Sequence, residues 1–351
     1  MVALVQAHAT LARMPDRPRV FVTRNLPGDA LSLLRETCEV AVWPDELPPP
    51  PDDLRRQAAT AHGLLTLLTD RIDAGLLADA PQLVAVSNMA TGYDNVDVAE
   101  ASRSLVLVSR TPGVLTETSA DLAFGLLLAA ARRIAEGDRY VRTGNWRTWG
   151  PEIMLGSDVH GATLGIVGLG RIGAAVARRA AGFGMRILYH GRSRKTDAEK
   201  DLSAAYAELD TLLAESDFVS IHAALTEDTR GLIGTRQLRL MKPSAILINT
   251  ARGPLVDQDA LYEALRSGTI AGAALDVTHP EPLPADSPLL ALDNVVITPH
   301  IASASIATRS EMARLAASNL LASLAGDVND NAVNPEIAAD WRAALARRLS
   351  A

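Results

Sequence analysis

Short runs of β-branched and apolar residues recur along this chain, each followed by a longer stretch whose apolar positions come at helical spacing. The first series contains Val20-Phe21-Val22, Val40-Ala41-Val42, Gly63-Leu64-Leu65 and Leu83-Val84-Ala85-Val86. Strands separated by helices do not pair as tight hairpins, so the pattern predicts βαβ units about a parallel sheet. The second series is cleaner: Thr163-Leu164-Gly165-Ile166-Val167, Arg186-Ile187-Leu188-Tyr189 and Phe218-Val219-Ser220-Ile221. It continues through Ala245-Ile246-Leu247-Ile248, Ala273-Ala274-Leu275 and Val295-Val296-Ile297. Between the two series a long helix is predicted from about Thr118, whose spacing to Asp121 fits a capping box. It reads as the connector between two domains. A further helix over about 310–325 follows the last strand and returns the chain to the first domain.

These elements place the chain in the α/β class, with two doubly wound parallel-sheet domains, the second inserted within a split first domain. The expected boundaries are 19–117 with 303–337 for the split domain and 118–302 for the inserted one. Residues 1–18 read as a loose extension ended by Pro15 and Pro18. The tail 338–351 is amphipathic enough for a helix, with no role legible in it. The proline run 48–51 reads as a stiff connecting loop.

Composition narrows the class of molecule. With 351 residues, there is length for two domains with separate cores. The apolar and charged fractions, 48% and 21%, fit a globular protein and argue against a disordered or fibrous one. A net charge of -7 gives no electrostatic reason to expect nucleic acid as a partner. Cys38 stands alone, which excludes an internal disulfide and argues against a cysteine metal cluster. The histidines show no ligand spacing with carboxylates, so no metal is expected. Residues 1–19 have neither the basic start nor the apolar core of a signal peptide. The apolar run 122–131 is bracketed by Asp121 and Arg132, too closely for a membrane span. The expectation is a cytoplasmic protein without a membrane partner.

The first candidate chemistry lies just after Val167. Gly168-Leu169-Gly170-Arg171-Ile172-Gly173 matches the dinucleotide fingerprint of Rossmann-like domains. Small residues are needed there because the backbone turns tightly, approaches a pyrophosphate and lets the next helix pack on the strand. The helix N-terminus then offers free N–H groups to the phosphates. Glycines also mark ordinary turns, but here they follow a clear strand and precede a good helical pattern, 174–182.

The end of the next strand bears on which dinucleotide is bound. NAD sites usually place an acid there for the ribose 2′-hydroxyl. This chain has His190 and then Gly191-Arg192-Ser193-Arg194-Lys195, without a carboxylate. Cations and a hydroxyl are what a 2′-phosphate requires, and Arg can bond it bidentately. A solvated basic loop would look the same, but its place in the motif favours NADP(H) over NAD(H).

Three further segments put polar residues just beyond strand ends, where open α/β sheets bind ligands. They are Asn249-Thr250-Ala251-Arg252-Gly253, Asp276-Val277-Thr278-His279-Pro280-Glu281-Pro282 and Thr298-Pro299-His300. Singly, each could be a surface ion pair, a stiffened turn or a core histidine. With the glycine fingerprint, they resemble the D-isomer-specific 2-hydroxyacid dehydrogenase family over about 19–336, and within it the glyoxylate/hydroxypyruvate reductases. The segment 278–284 and the pair Trp146 and Trp149 resemble that branch more than the family at large, and the loop 190–194 resembles its NADP-using members.

The resemblance implies roles. Arg252 would hold the substrate carboxylate and polarise the 2-oxo group. His300 would be the general acid, protonating the oxygen as hydride arrives. Glu281 would bond to His300, orient its ring and stabilise its charge. Thr250 and Asp276 would face the cofactor, Asp276 at the nicotinamide carboxamide. Ala90-Thr91-Gly92 matches a loop whose amides receive the substrate carboxylate, although the family often has Ser where Ala90 stands. Ala224 likewise replaces a frequent Pro. Trp149 resembles an aromatic residue that reaches into a neighbouring subunit's site, which implies a homodimer; a buried interface anchor is the other reading.

The resemblance thus implies NADPH-dependent reduction of glyoxylate and hydroxypyruvate to glycolate and D-glycerate. Formate dehydrogenases place Gln where Glu281 stands, and phosphoglycerate dehydrogenases often carry extra C-terminal domains. Phosphite oxidation, other 2-oxo acids and NAD use stay open. So does a non-catalytic dinucleotide sensor of the corepressor kind, since fold does not fix function.

Overall fold

The computed structural model describes residues 2–12, 14 and 16–349, with side chains from Gln6 onward. It comprises two compact units: residues up to Leu115 with those from Ser305 onward, and Thr116–Ala304.

The strands of the first unit are β1 (Arg19–Val22), β2 (Glu39–Val42), β3 (Gly63–Thr66), β4 (Ala85–Asn88) and β5 (Leu107–Ser109). They form one parallel sheet in the order β2-β1-β3-β4-β5. The inner strands β3 and β4 are buried throughout, their polar ends Thr66, Ser87 and Asn88 included, whereas β2 at an edge alternates. The expected series lacked β5, which is three residues long; its pairing of Val108 with Val86 makes it a strand.

The N-terminal segment, expected to be loose, is helical, and the tail has the helix its pattern suggested. Residues Val2–Leu11 form a helix that packs on the helix Ile306–Leu324, burying Ala7 and Leu11. Burial of that apolar face orders what composition alone left loose; Pro15, expected to end it, lies outside the described residues. The tail helix Ala338–Leu349 buries Trp341 completely, and its indole donates to the Val84 carbonyl at 2.8 Å. Arg348 donates to the carbonyls of Leu83, Ser104 and Leu105. The tail therefore satisfies backbone acceptors beside β4 and β5. Part of the proline run is helical, because Pro51 opens the helix Pro51–Thr60 from a position where its missing N–H costs nothing.

The second unit opens with the helix Thr116–Ala131, which begins two residues before the expected start. Asp121 lies inside it and accepts from Arg179, a tertiary ion pair in place of a cap. Seven parallel strands follow: β6 (Thr163–Val167), β7 (Arg186–His190), β8 (Ala204–Tyr206), β9 (Phe218–Ile221), β10 (Ile246–Asn249), β11 (Gly272–Leu275) and β12 (Val295–Ile297). Their order is β12-β11-β10-β9-β6-β7-β8. Short β8, not expected from the sequence, pairs only with β7. Phe124, Leu127, Val176, Ile166 and Ile248 fill one face of this sheet. Leu212, Val219, Leu247, Leu261 and Leu265 fill the other. Both units are thus parallel α/β sheets, and in this one the strand order reverses between β6 and β9. In open α/β sheets, ligands bind beyond the carboxyl ends of the strands at such a switch point. No helix among the described residues is long and apolar enough to cross a membrane.

Candidate active site

The glycine loop begins where β6 ends, at the switch point. Gly168 has φ +100°, and a Cβ there would lie 2.8 Å from backbone atoms of His222 and Ala223. A Cβ on Gly173 would lie 2.3 Å from the Gly168 carbonyl oxygen, so the helix Arg171–Ala181 packs on the loop only without a side chain. Gly170 caps that helix and has open space at its Cβ position. Leu169 is buried, Ile172 is half-buried and packs against the core, and Arg171 is exposed at the first helical position. The loop is therefore tight towards the protein and open towards solvent, the form a pyrophosphate cradle takes.

Beyond β7 the basic loop holds more structure than its sequence indicates. Arg194 grips Glu199 with both arms of its guanidinium, at 2.7 and 2.9 Å. The Tyr189 hydroxyl donates to the same carboxylate at 2.7 Å and accepts from the Lys195 amide. These donors, Arg194 first and Tyr189 second, hold the Glu199 carboxyl down at about 2. No carboxylate occurs within 190–195, but the fold brings one from the helix Thr196–Leu202. Arg194 is thereby partly neutralised, a point the sequence reading missed. Arg192 and Ser193 are exposed in the same loop, beside half-buried Gly191.

Three segments meet at the ends of β10, β11 and β12. Asn249 ties the first into a loop: its side chain donates to the Arg252 carbonyl and accepts from the Ala251 amide. Arg252 extends one arm to the Ala251 carbonyl at 2.8 Å. The neighbouring Thr250 hydroxyl is buried without a hydrogen-bond partner in the protein, a group that a ligand or water must satisfy. Gly253 touches the second segment, since a Cβ there would fall 1.9 Å from the Thr278 carbonyl oxygen. The His279 amide donates to Gln258, pinning the same segment to the helix Gln258–Arg266.

The second and third segments join through Glu281 and His300. His300 Nδ1 lies 2.5 Å from Glu281 Oε1. A carboxylate only accepts, so the nitrogen facing it carries hydrogen and Nε2 is the position for a transferable proton. The two side chains are 20% and 35% exposed, enough to meet a small solute. His300 itself has φ +53°, in the left-handed region. Asp276 is 1% exposed, and its carboxylate accepts from the Thr298 hydroxyl and the Ile301 and Ala302 amides.

Thr91 and Gly92 belong to the first unit, in the loop after β4. The Thr91 hydroxyl donates to the Thr111 carbonyl, and the Gly92 carbonyl accepts from Asn88. Trp149 is 79% exposed and Trp146 60% exposed, in a segment without helix or strand. A cavity of about 350 Å³ opens at the opposite ends of β10–β12. Its charged residues pair with one another, Arg133 with Glu136 and Arg139 with Asp293, and it lies away from the polar strand ends.

The residues of the glycine loop, the exposed cations and the orphan Thr250 hydroxyl fit a bound dinucleotide. Comparison with known proteins agrees. The model of the D-isomer specific 2-hydroxyacid dehydrogenase NAD binding domain matches residues 124–302. A glyoxylate reductase of Korarchaeum cryptofilum is 56% identical over 92% of this chain and 97% of its own. A crystal structure of a Thermus thermophilus protein superposes with TM-score 0.85 at 50% identity, covering 90% of this chain and 99% of that one. An NADPH-dependent glyoxylate/hydroxypyruvate reductase of Sinorhizobium meliloti, solved with NADP and malonate, superposes with TM-score 0.75 at 34% identity. That match covers 87% of this chain and 93% of the other.

Proposed function

Since this chain belongs to the D-isomer specific 2-hydroxyacid dehydrogenase family, we propose that it reduces glyoxylate and hydroxypyruvate with NADPH. It is an oxidoreductase acting on CH–OH groups. The observation that carries the finer reading is the Glu281–His300 contact, which leaves Nε2 as the proton donor.

A bound dinucleotide supplies hydride to C2 of the 2-oxo acid. His300 gives its Nε2 proton to the 2-oxo oxygen, so the carbonyl becomes a hydroxyl of the D-2-hydroxy acid. Glu281 accepts from Nδ1, fixes the ring and offsets the positive charge before transfer. Arg252 receives the substrate carboxylate with its fork and polarises the oxo group. The glycine loop and the helix N-terminus would hold the dinucleotide's phosphates, and the Thr250 hydroxyl lies in the neighbouring loop without a partner in the protein. By the family resemblance, Thr91 and Gly92 of the first unit are assigned to substrate binding. The unit 116–304 takes the dinucleotide.

Two features support NADPH over NADH. No acid ends β7, and Arg192 and Ser193 are exposed where a 2′-phosphate would bind. The S. meliloti enzyme named above is NADPH-dependent. Glyoxylate is supported by the K. cryptofilum relative's name. The exposed Trp146 and Trp149 are assigned to a homodimer interface, Trp149 as an anchor or as a contact in the neighbouring site.

The test is loss of reduced-nicotinamide absorbance with glyoxylate or hydroxypyruvate, comparing NADPH with NADH. Fast NADPH oxidation is expected, and His300→Ala should lower kcat by about 10²–10⁴-fold. Turnover with NADH alone removes the 2′-phosphate argument. Tight dinucleotide binding without turnover of any 2-oxo acid makes the chain a sensor.

A further inference from the structure

We propose that Asn88 and Arg110 are positioning residues for substrate affinity, holding carbonyls of the loop 90–93 so that its amides stand open to the substrate carboxylate. The inference rests on the assignment of Thr91 and Gly92 to substrate binding. Successive carbonyls of this loop are each taken by a donor. The Ala90 carbonyl accepts from the Thr111 amide at 2.9 Å. The Thr91 carbonyl accepts from Arg110 Nη1 at 3.2 Å, and the Gly92 carbonyl from Asn88 Nδ2 at 3.1 Å.

In a trans peptide the carbonyl and the next residue's N–H point opposite ways. The peptides of this loop are trans, so fixing those carbonyls also fixes the direction of the Thr91, Gly92 and Tyr93 amides. These amides find no acceptor among the described residues, whereas the Met89 and Ala90 amides are spent on the Thr66 and Asn88 carbonyls. Consecutive open donors in a loop where Thr91 and Gly92 are half-buried suit a carboxylate. Both clamps are themselves anchored. Asn88 ends β4, is fully buried, donates to Asn95 Oδ1 at 3.0 Å and accepts from the Thr66 hydroxyl at 3.2 Å. Asn95 in turn donates to the Leu67 and Asp70 carbonyls, which leaves its oxygen for Asn88 and turns the Asn88 NH₂ towards Gly92. Arg110 lies over the Tyr93 ring, 5.4 Å from its centroid, a cation–π contact that keeps the guanidinium at the loop.

A preformed carboxylate site favours ground state and transition state alike, so loosening it raises KM and spares kcat. Arg110→Met should raise KM for glyoxylate about tenfold and Asn88→Ala about fivefold, with kcat within about twofold of the parent. Kd for NADPH, measured by direct titration without substrate, should not change, because the cradle at 168–173 is untouched. A role in folding alone would lower kcat with the active fraction and leave KM where it was. Asn88→Ala exchanges neutral side chains, so its KM separates positioning from a direct pull of the Arg110 charge on the substrate.

KM raised in Arg110→Met but parental in Asn88→Ala overturns the proposal and leaves Arg110 acting by charge. If Asn88→Ala does not fold, Thr66→Val decides: it frees the Asn88 amide to turn, a rise of about threefold in KM is expected, and a parental KM overturns the proposal. Glyoxylate and its neutral amide are compared in the parent and each variant to separate the two readings. The parent should prefer the acid, and the variants should lose that preference as far as KM rises. A parent indifferent to the carboxylate removes Thr91 and Gly92 from substrate binding. Variants that keep the full preference of an acid-selective parent remove only the positioning role.

Discussion

Gly253 and Thr278 meet backbone to backbone: a Cβ at Gly253 would stand 1.9 Å from the Thr278 carbonyl oxygen. The contact joins the loop carrying Arg252 to the segment carrying Glu281, so a glycine just beyond the end of β10 sets the spacing of those two. No flexible side chain can yield there, because the opposing atom is backbone. Gly253→Ala should therefore displace one segment and lower kcat/KM by about 10²-fold, as small misplacements in active sites do. Steady-state kinetics on a variant with a normal unfolding transition checks this. Unchanged kcat/KM means the two loops are not held by that contact.

Discrimination between the dinucleotides should lie in Arg192 more than in Arg194. Arg194 is held by Glu199, whereas Arg192 stands exposed in the loop. Arg192→Ala is expected to raise KM for NADPH about tenfold, the worth of a charge-assisted hydrogen bond, and to leave NADH unaffected. Equal losses with both cofactors would place Arg192 outside the 2′-phosphate contact.

Acid should destabilise the second unit through His222. Burial pulls the pKa of this ring down to about 4, and its Nε2 meets the Ser220 hydroxyl at 2.8 Å. The folded chain thus prefers the neutral ring. Its full stability is present above the ordinary histidine value and declines as pH falls from there towards 4, by at most about 3 kcal/mol. Thermal unfolding compared at about pH 7 and about pH 5 should show a steeper loss in the parent than in His222→Asn. Identical slopes in the two proteins contradict a ring that the fold keeps neutral.

The C-terminal helix is expected to be indispensable to the first unit. Trp341 is fully buried and donates to the Val84 carbonyl. Trp341→Ala opens a large cavity and leaves that acceptor unpaired, a loss of about 3–5 kcal/mol. A urea titration measures it; a midpoint close to the parent's would make the tail dispensable.

What the sequence determined by itself was what local pattern and spacing carry. The period of apolar runs set most of the strands and the parallel order, because strands buried on both faces leave uninterrupted apolar stretches. The glycine spacing located the loop at 168–173, because its backbone geometry tolerates no side chain at Gly168 and Gly173. The pattern marked three polar segments beyond strand ends, and it was their resemblance to the family that singled out Arg252, Glu281 and His300 within them.

Pattern and spacing alone did not say which of these groups touch; the resemblance implied the Glu281–His300 pair, and the tertiary structure shows its geometry. Glu281 and His300 lie 19 positions apart and become partners because β11 and β12 run side by side. Glu199 neutralises Arg194 because a helical turn swings it back, which no residue type within 190–195 reveals. Asp276 was legible as a polar residue at a strand end, but its partners were not: the carboxylate accepts from three donors of the His300 loop. The N-terminal helix and the short strands β5 and β8 likewise depend on neighbours, since segments that short gain their stability from packing and pairing and not from their own propensity.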